Sequence, residues 1–437
     1  MGEFVITGGH LVLPAGEGRV KVQAGDLFIS GGEIAEVAAP GAPAGSGSIK
    51  TVDATGCAVM PGLVNAHCHG AMSLFRGYAD DLPLMRWLEE WIWPAEAHLT
   101  PEDVYWGTAL AAVEMLRGGV TTFADMYFHM DEAARATADL GMRGILSEGL
   151  IGIKGRGQED LHRSRALFER WHGSAGGRLQ VQLGPHAPYT CPPEYMEQVI
   201  SLATELGCGI HIHVAETADE VEGIHQEYGM SPVQYLDRVG LLDGLPLIAA
   251  HCVYVDEEDL RLLKTAGVGV VHCPGSNQKL GSGVAPLGQM LEAGVTVGLG
   301  TDGACSTGRL DLWSEMRAAA LMQKAVHRDP ERIPAATMLY LATRGGAKAC
   351  GLEDVGELSV GMKADLAIVD LSAPHLVPHH DILSLLAYSA GPGDVRDVYV
   401  EGQPVVSGRR TVRLPEQGIV QKALMAAEDL VGRVGSV

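Results

Sequence analysis

Between residues 58 and about 352 the chain alternates short apolar runs with helical stretches, and this alternation restricts the fold more than any other feature. Strand-like runs fall near 59–66, 120–125, 143–150, 179–185, 209–214, 246–251, 268–272 and 295–301, with helical stretches such as 101–117, 192–206 and 256–265 between them. Eight such units are what a closed α/β barrel of the (β/α)8 TIM type needs, and barrels of that kind gather their chemistry at the carboxyl ends of the strands. The flanks differ. Residues 1–57 read as short alternating strands broken by Gly/Pro/Ala stretches, and residues 353–437 return to strands at 366–369 and 395–400 before a C-terminal helix. Two β-rich ends around a barrel predict one small β-sandwich formed by both.

The strand ends carry the residues of interest. His67 and His69 close the run PGLVNAHCHG, and side chains one residue apart on a strand share a face, so both imidazoles can reach one ion. Alone the pair is weak, because His-x-His arises by chance and a lone histidine is usually packed or solvated. Three further strand ends supply His213 with Glu216, His251, and Asp302. Imidazole and carboxylate donors without thiolate suit Zn²⁺ or Fe²⁺ with a position left open for water. His211 points the same way as His213 but lies deeper, and reads as a packed core histidine. His272 is left without a role. The run Gly298–Gly303 fits the dinucleotide pattern G-x-G-x-x-G, but it stands at the eighth strand instead of opening a βαβ unit and places Asp302 where phosphate would bind.

Charge removes other classes. Lys and Arg number 32 against 54 Asp and Glu, a net −22 with no long basic run, so nucleic acid is not expected as a partner. No apolar run reaches the length of a membrane span and no basic-then-apolar leader opens the sequence, which predicts a cytoplasmic protein without membrane contact. Eight scattered cysteines with no Cys-x-x-Cys pair predict reduced thiols.

The segments PGLVNAHCHGAMSLFRGYADDLPLMRWLEEWIWPAEAHLTPED, GPHAPYTCPP, HIHVAE, AHCVY, SNQKLGSGVAP and GTDGACS resemble, in order and spacing, the amidohydrolase superfamily and within it the 5-methylthioadenosine/S-adenosylhomocysteine deaminases. The likeness runs from about residue 55 to 410. It implies that His67, His69, His213 and Asp302 hold one divalent ion, Zn²⁺ ahead of Fe²⁺. It further implies that His251 orients a water, that Glu216 carries protons to the purine N1, that His186 contacts the purine and that Glu96 binds the ribose hydroxyls. A bridging lysine expected of two-metal relatives is missing from Leu183-Gly184-Pro185-His186, so one ion is expected. The implied substrate is a small nucleoside, and a homo-oligomer is expected.

One departure bears on that substrate. Relatives that take S-adenosylhomocysteine are expected to carry arginines for its carboxylate after the third strand, where this chain has Ser147-Glu148-Gly149-Leu150 and Glu159-Asp160. Glu148 would repel a carboxylate, with Lys154 and Arg156 as the cations able to compensate. This favours 5-methylthioadenosine, adenosine or 5-deoxyadenosine. Two other readings stay open: an s-triazine amino- or chlorohydrolase on the same metal site, suggested by the HCVY, GSGVAP and KAVHRDP segments, and a non-catalytic scaffold, which the intact ligand set disfavours. Trp87, Trp91 and Trp93 follow the first barrel strand and could close over the site, although packing is the expected role for at least two of them.

Overall fold

The computed structural model describes residues 2–16, 18–42, 49–155 and 157–435, with Lys154 described by its backbone alone. Arg156 lies outside the described residues. The chain begins with strands β1 (Phe4–Pro14), β2 (Val20–Ser30), β3 (Glu33–Ala38), β4 (Lys50–Asp53) and β5 (Cys57–Pro61). Then come β6 (Leu63–His69), β7 (Val120–Tyr127), β8 (Arg143–Leu150), β9 (Leu179–Pro185), β10 (Ile210–Val214), β11 (Leu247–His251), β12 (Gly269–His272), β13 (Thr296–Leu299) and the short β14 (Asp302–Gly303). The last are β15 (Leu366–Asp370), β16 (Val395–Val400), β17 (Gln403–Ser407) and β18 (Arg410–Thr411).

Strands β6 to β14 form one parallel sheet in the order β13-β12-β11-β10-β9-β8-β7-β6-β14. The sheet curls back on itself at the two residues between β13 and β14. Gly300 N donates to His272 O of β12 at 3.0 Å, while Thr301 N donates to His67 O of β6 at 3.1 Å. The glycines that mimic a dinucleotide motif serve this approach, since a Cβ on Gly300 would stand 2.8 Å from the His67 carbonyl and one on Gly298 2.7 Å from Gly346 Cα. Strands β7 and β8 are buried at every residue, as expected of parallel strands covered on both faces. Helices pack outside; Pro101–Arg117, for example, starts at a capping box between Thr100 and Asp103. Among the described residues no helix is long and apolar enough to cross a membrane.

The terminal strands join in a second sheet, in the order β18-β17-β16-β15-β5-β1-β2-β3 with β4 beside β1. Its inward side chains, among them Ile6, Leu27, Val59 and Ile368, make a cluster separate from the main core. The apolar run near 59–66, read in sequence as one strand, is two strands in two sheets. It divides at Gly62, where a Cβ would strike the Thr121 side chain. β5 pairs with β1 and β15, whereas β6 pairs with β7. Both segments are buried on both faces, so apolar periodicity carries no mark of the change of sheet. Arg143, with its side chain only 4% exposed, ties the two sheets through Asp365 at 3.0 Å and Glu401 at 3.2 Å. All eight cysteines are free and buried.

Candidate metal centre and substrate cavity

At the carboxyl ends of β6 and β10 and the start of β14, the donor atoms of His67, His69, His213 and Asp302 lie within 4.8 Å of one another. Asp302 Oδ1 stands 3.1 Å from His69 Nε2 and 3.4 Å from His67 Nε2, and His213 Nε2 is 3.2 Å from His69 Nε2. Each imidazole is oriented through its other nitrogen. His69 Nδ1 lies 2.5 Å from Met126 O and His213 Nδ1 2.7 Å from His186 O. A carbonyl only accepts, so both Nδ1 atoms carry a proton and both Nε2 atoms face the shared centre. His67 Nδ1 meets His211 Nε2 at 2.7 Å. His211 is thus buried as expected, and it also orients a member of the cluster. Asp302 Oδ2 accepts from Ser276 Oγ at 2.6 Å and Ser306 Oγ at 2.8 Å, which leaves Oδ1 to the centre.

This arrangement fits one divalent ion. His67 Nε2 is buried without a hydrogen-bond partner, a costly state that an ion would relieve. Burial pushes His67 down to about 4 and His213 well below the usual histidine range, so both are neutral, as ligation requires. Burial also lowers His69, but the Asp302 carboxylate outweighs it and holds that imidazole up at about 9, so an ion entering here displaces a proton.

His251 and Glu216 flank the cluster. His251 Nδ1 lies 2.9 Å from Asn277 Oδ1, and its Nε2 is 3.8 Å from Glu216 Oε2. Ser282 Oγ donates to Glu216 Oε1 at 3.3 Å. Burial pushes the Glu216 carboxyl up, against the opposing effect of His251, which favours a carboxyl able to hold a proton. The backbone at these strand ends is left-handed at Ala215 (φ 51°), His251 (φ 75°), Cys252 (φ 45°) and Asp302 (φ 60°), a conformation that non-glycine residues adopt rarely and that concentrates where side chains must be aimed.

A cavity opens beside the cluster, and His69, His213, Glu216, His251 and Asp302 line one end of it while Glu96 and His186 line its walls. Of the eight implied site residues, all but the fully buried His67 therefore line the same space. Trp87 and Trp93 line it too, contrary to the expectation that at least two of the three tryptophans only pack. Trp87 does both, being buried with Nε1 donating to Ala79 O at 3.1 Å. Trp91 stays outside, 41% exposed. Sequence reasoning missed Tyr127, at the end of β7, whose hydroxyl faces Glu96. It also missed the aiming residues Ser276, Asn277 and Ser306, which lie inside the SNQKLGSGVAP and GTDGACS segments.

A second cavity adjoins the first, sharing Trp93, Glu96, Phe128 and Ile151 and adding Glu148, Asp160 and Arg163. Glu148 is buried and accepts from Met130 N at 3.0 Å. Among the described residues a cation beside it is Arg163, from the helix Gly157–Trp171. Arg163 is bound to Asp160 at 2.5 Å, with its Nε 3.5 Å from Glu148 Oε1. A helix-facing arginine seven residues past the expected loop left no signal in a single sequence.

Comparison with known proteins agrees with this geometry. Residues 58–405 match the amidohydrolase family. A 5-methylthioadenosine/S-adenosylhomocysteine deaminase of Pelotomaculum thermopropionicum is 49% identical over 410 residues, 94% of each chain. The crystal structure of an adenosine deaminase from Xanthomonas campestris with bound zinc superposes with a TM-score of 0.93 at 38% identity, covering 100% of this chain and 99% of that one. An atrazine chlorohydrolase from Arthrobacter aurescens complexed with zinc follows with a TM-score of 0.89 at 26% identity, covering 97% of this chain and 100% of that one. With a match over most of its length and three histidines and an aspartate converging at the strand ends, the chain belongs to the amidohydrolase family.

Proposed function

We propose that this protein is a metal-dependent aminohydrolase that converts adenosine-type nucleosides (5-methylthioadenosine, adenosine, 5-deoxyadenosine or S-adenosylhomocysteine) to the inosine analogue and ammonia. The observation that carries this reading is a single cavity beside the four-donor cluster, lined by the protonatable Glu216 and by Glu96 and His186. The curled sheet is read as a closed (β/α)8 barrel and the terminal strands as a small β-sandwich, in keeping with the superposition on the zinc-bound adenosine deaminase.

His67, His69, His213 and Asp302 would hold the ion, Zn²⁺ ahead of Fe²⁺. A divalent ion in such a site supplies acidity, bringing a water pKa down to about 7. The chain does the rest. His251, aimed by Asn277, orients the water, and Asp302 takes its first proton. Glu216, whose burial favours the protonated carboxyl, gives its proton to N1 as the water oxygen bonds to C6. The carboxylate left behind collects the remaining hydroxyl proton and delivers it to the amino nitrogen. The C6–N bond then breaks, ammonia leaves, and the proton held by Asp302 restores Glu216. Glu96 fixes the ribose hydroxyls and His186 the purine ring. A triazine hydrolase would have no use for a carboxylate placed at a sugar, which favours the nucleoside.

Ammonia release from a panel of adenosines, guanine, cytosine and melamine, with metal analysis of the same sample, tests this reading. Turnover of melamine but not of any adenosine would reject it. Glu96→Ala should raise KM for every ribose-bearing substrate by at least about 10-fold, with metal content unchanged, because two sugar hydroxyls lose a charged acceptor.

The 5′ preference follows from the outer cavity. Burial pushes Glu148 up to about 7, so it is charged above that pH and neutral below. With Arg163 already bound to Asp160, the carboxylate of S-adenosylhomocysteine meets repulsion at high pH. The kcat/KM ratio of S-adenosylhomocysteine to 5-methylthioadenosine should therefore lie below one at pH 8 and climb as pH falls through about 7. Glu148→Gln should raise the ratio at pH 8 by about 5- to 50-fold and flatten its pH dependence. A ratio above one in the wild type at pH 8 would show that Arg163 or another cation clamps the carboxylate.

A further inference from the structure

Glu220 stands in the first turn of the helix Ala218–Tyr228, just past β10, buried and without a part in the steps above. Thr217 caps that helix, accepting from Glu220 N at 3.2 Å. A glutamate at this position commonly returns to the N–H of the capping residue. Here both carboxylate oxygens reach past it: Oε1 accepts from Ala215 N at 2.9 Å and Oε2 from Glu216 N at 2.7 Å.

Those two N–H groups belong to the peptide units that decide where Glu216 points. Ala215 is left-handed, and its carbonyl accepts from Val253 N at 2.9 Å and Tyr254 N at 3.0 Å, the residues that follow His251 and Cys252. Ala215 therefore joins the strand end carrying Glu216 to the strand end carrying His251. Glu220 grips the same residue from its N–H side.

We infer that Glu220 is a positioning residue for the deamination: its carboxylate fixes the Ala215–Glu216 backbone and so sets the Glu216 carboxyl against His251. This rests on the proton-transfer role given to Glu216 above. Two converging N–H donors need an acceptor on each oxygen, which a carboxylate provides and an amide does not. In Glu220→Gln an NH₂ group faces one of the N–H groups, the peptide must rotate, and the side chain of Glu216 moves with it. A displacement of about 1 Å at a proton-transfer group is enough to cost roughly 10²-fold in rate.

A double-mutant cycle tests this, with 5-methylthioadenosine as substrate and ammonia release as readout. In Glu220→Gln kcat should fall by about 30- to 100-fold, with KM within about 3-fold of wild type and metal content unchanged. In a Glu216→Gln background the same change should cost less than about 3-fold, since moving a group already unable to shuttle protons has no further effect. Wild-type kcat in Glu220→Gln, an equal loss in both backgrounds, or a loss that tracks metal content would each overturn the inference. If Glu220→Gln does not fold, Glu220→Asp replaces it. The shorter side chain reaches at most one of the two N–H groups, so wild-type kcat in that variant overturns the inference as well. A wild type that releases no ammonia from any adenosine overturns the functional reading itself and this inference with it. An active wild type with an indifferent Glu220 removes only the latter.

Discussion

Asp302→Ala should abolish turnover, lowering kcat by at least about 10³-fold, because one carboxylate serves as ion donor and as acceptor of the water proton. The ion content should fall well below one per chain. His67 and His69 lose the carboxylate 3.4 and 3.1 Å away, and the Ser276 and Ser306 hydroxyls lose their shared acceptor. The far-ultraviolet circular dichroism should match wild type, since the residue sits at the open ends of the strands, where side chains serve chemistry more than the core. Chelation of the wild type should reproduce the loss, and added Zn²⁺ or Fe²⁺ should restore activity to the wild type but not to the variant. Wild-type-like ammonia release from metal-free protein would refute this account of the site.

Glu216→Gln should separate proton transfer from everything else. The amide keeps the size of the side chain and can still accept from Ser282, but it cannot give up a proton to N1. The expected fall in kcat is at least about 10²-fold, with ion content unchanged and KM within a few-fold of wild type. An unchanged kcat with full metal would assign N1 protonation to another group, such as His251, 3.8 Å from Glu216.

The strands of the curled sheet and its cluster of donors were legible because they rest on local signals: apolar runs of strand length, helical stretches between them, and polar residues where the runs stop. The groups that aim those donors were not legible. His211 looks in sequence like any buried strand residue, and only the fold shows that its Nε2 meets His67, 144 residues away in the chain. Glu148 was found and its partner Arg163 was not, because a helix face cannot be assigned to a cavity before the helix is docked. The division at Gly62 was hidden for a related reason, since a strand buried on both sides looks the same whichever sheet it joins.

That division also sets an order of assembly. As the chain leaves the ribosome, β5 can pair with β1 at once, but its other edge belongs to β15, about 300 residues further on. Until then the N-terminal strands carry an open, apolar edge of unpaired backbone groups, the form of surface that invites pairing between chains. Synthesis halted after β14 should yield a product that aggregates through this edge even though all of its metal donors are present. Completing the amino-terminal sheet is thus one of the last events of folding, and closure by β15 is the step at which nascent chains become safe from one another.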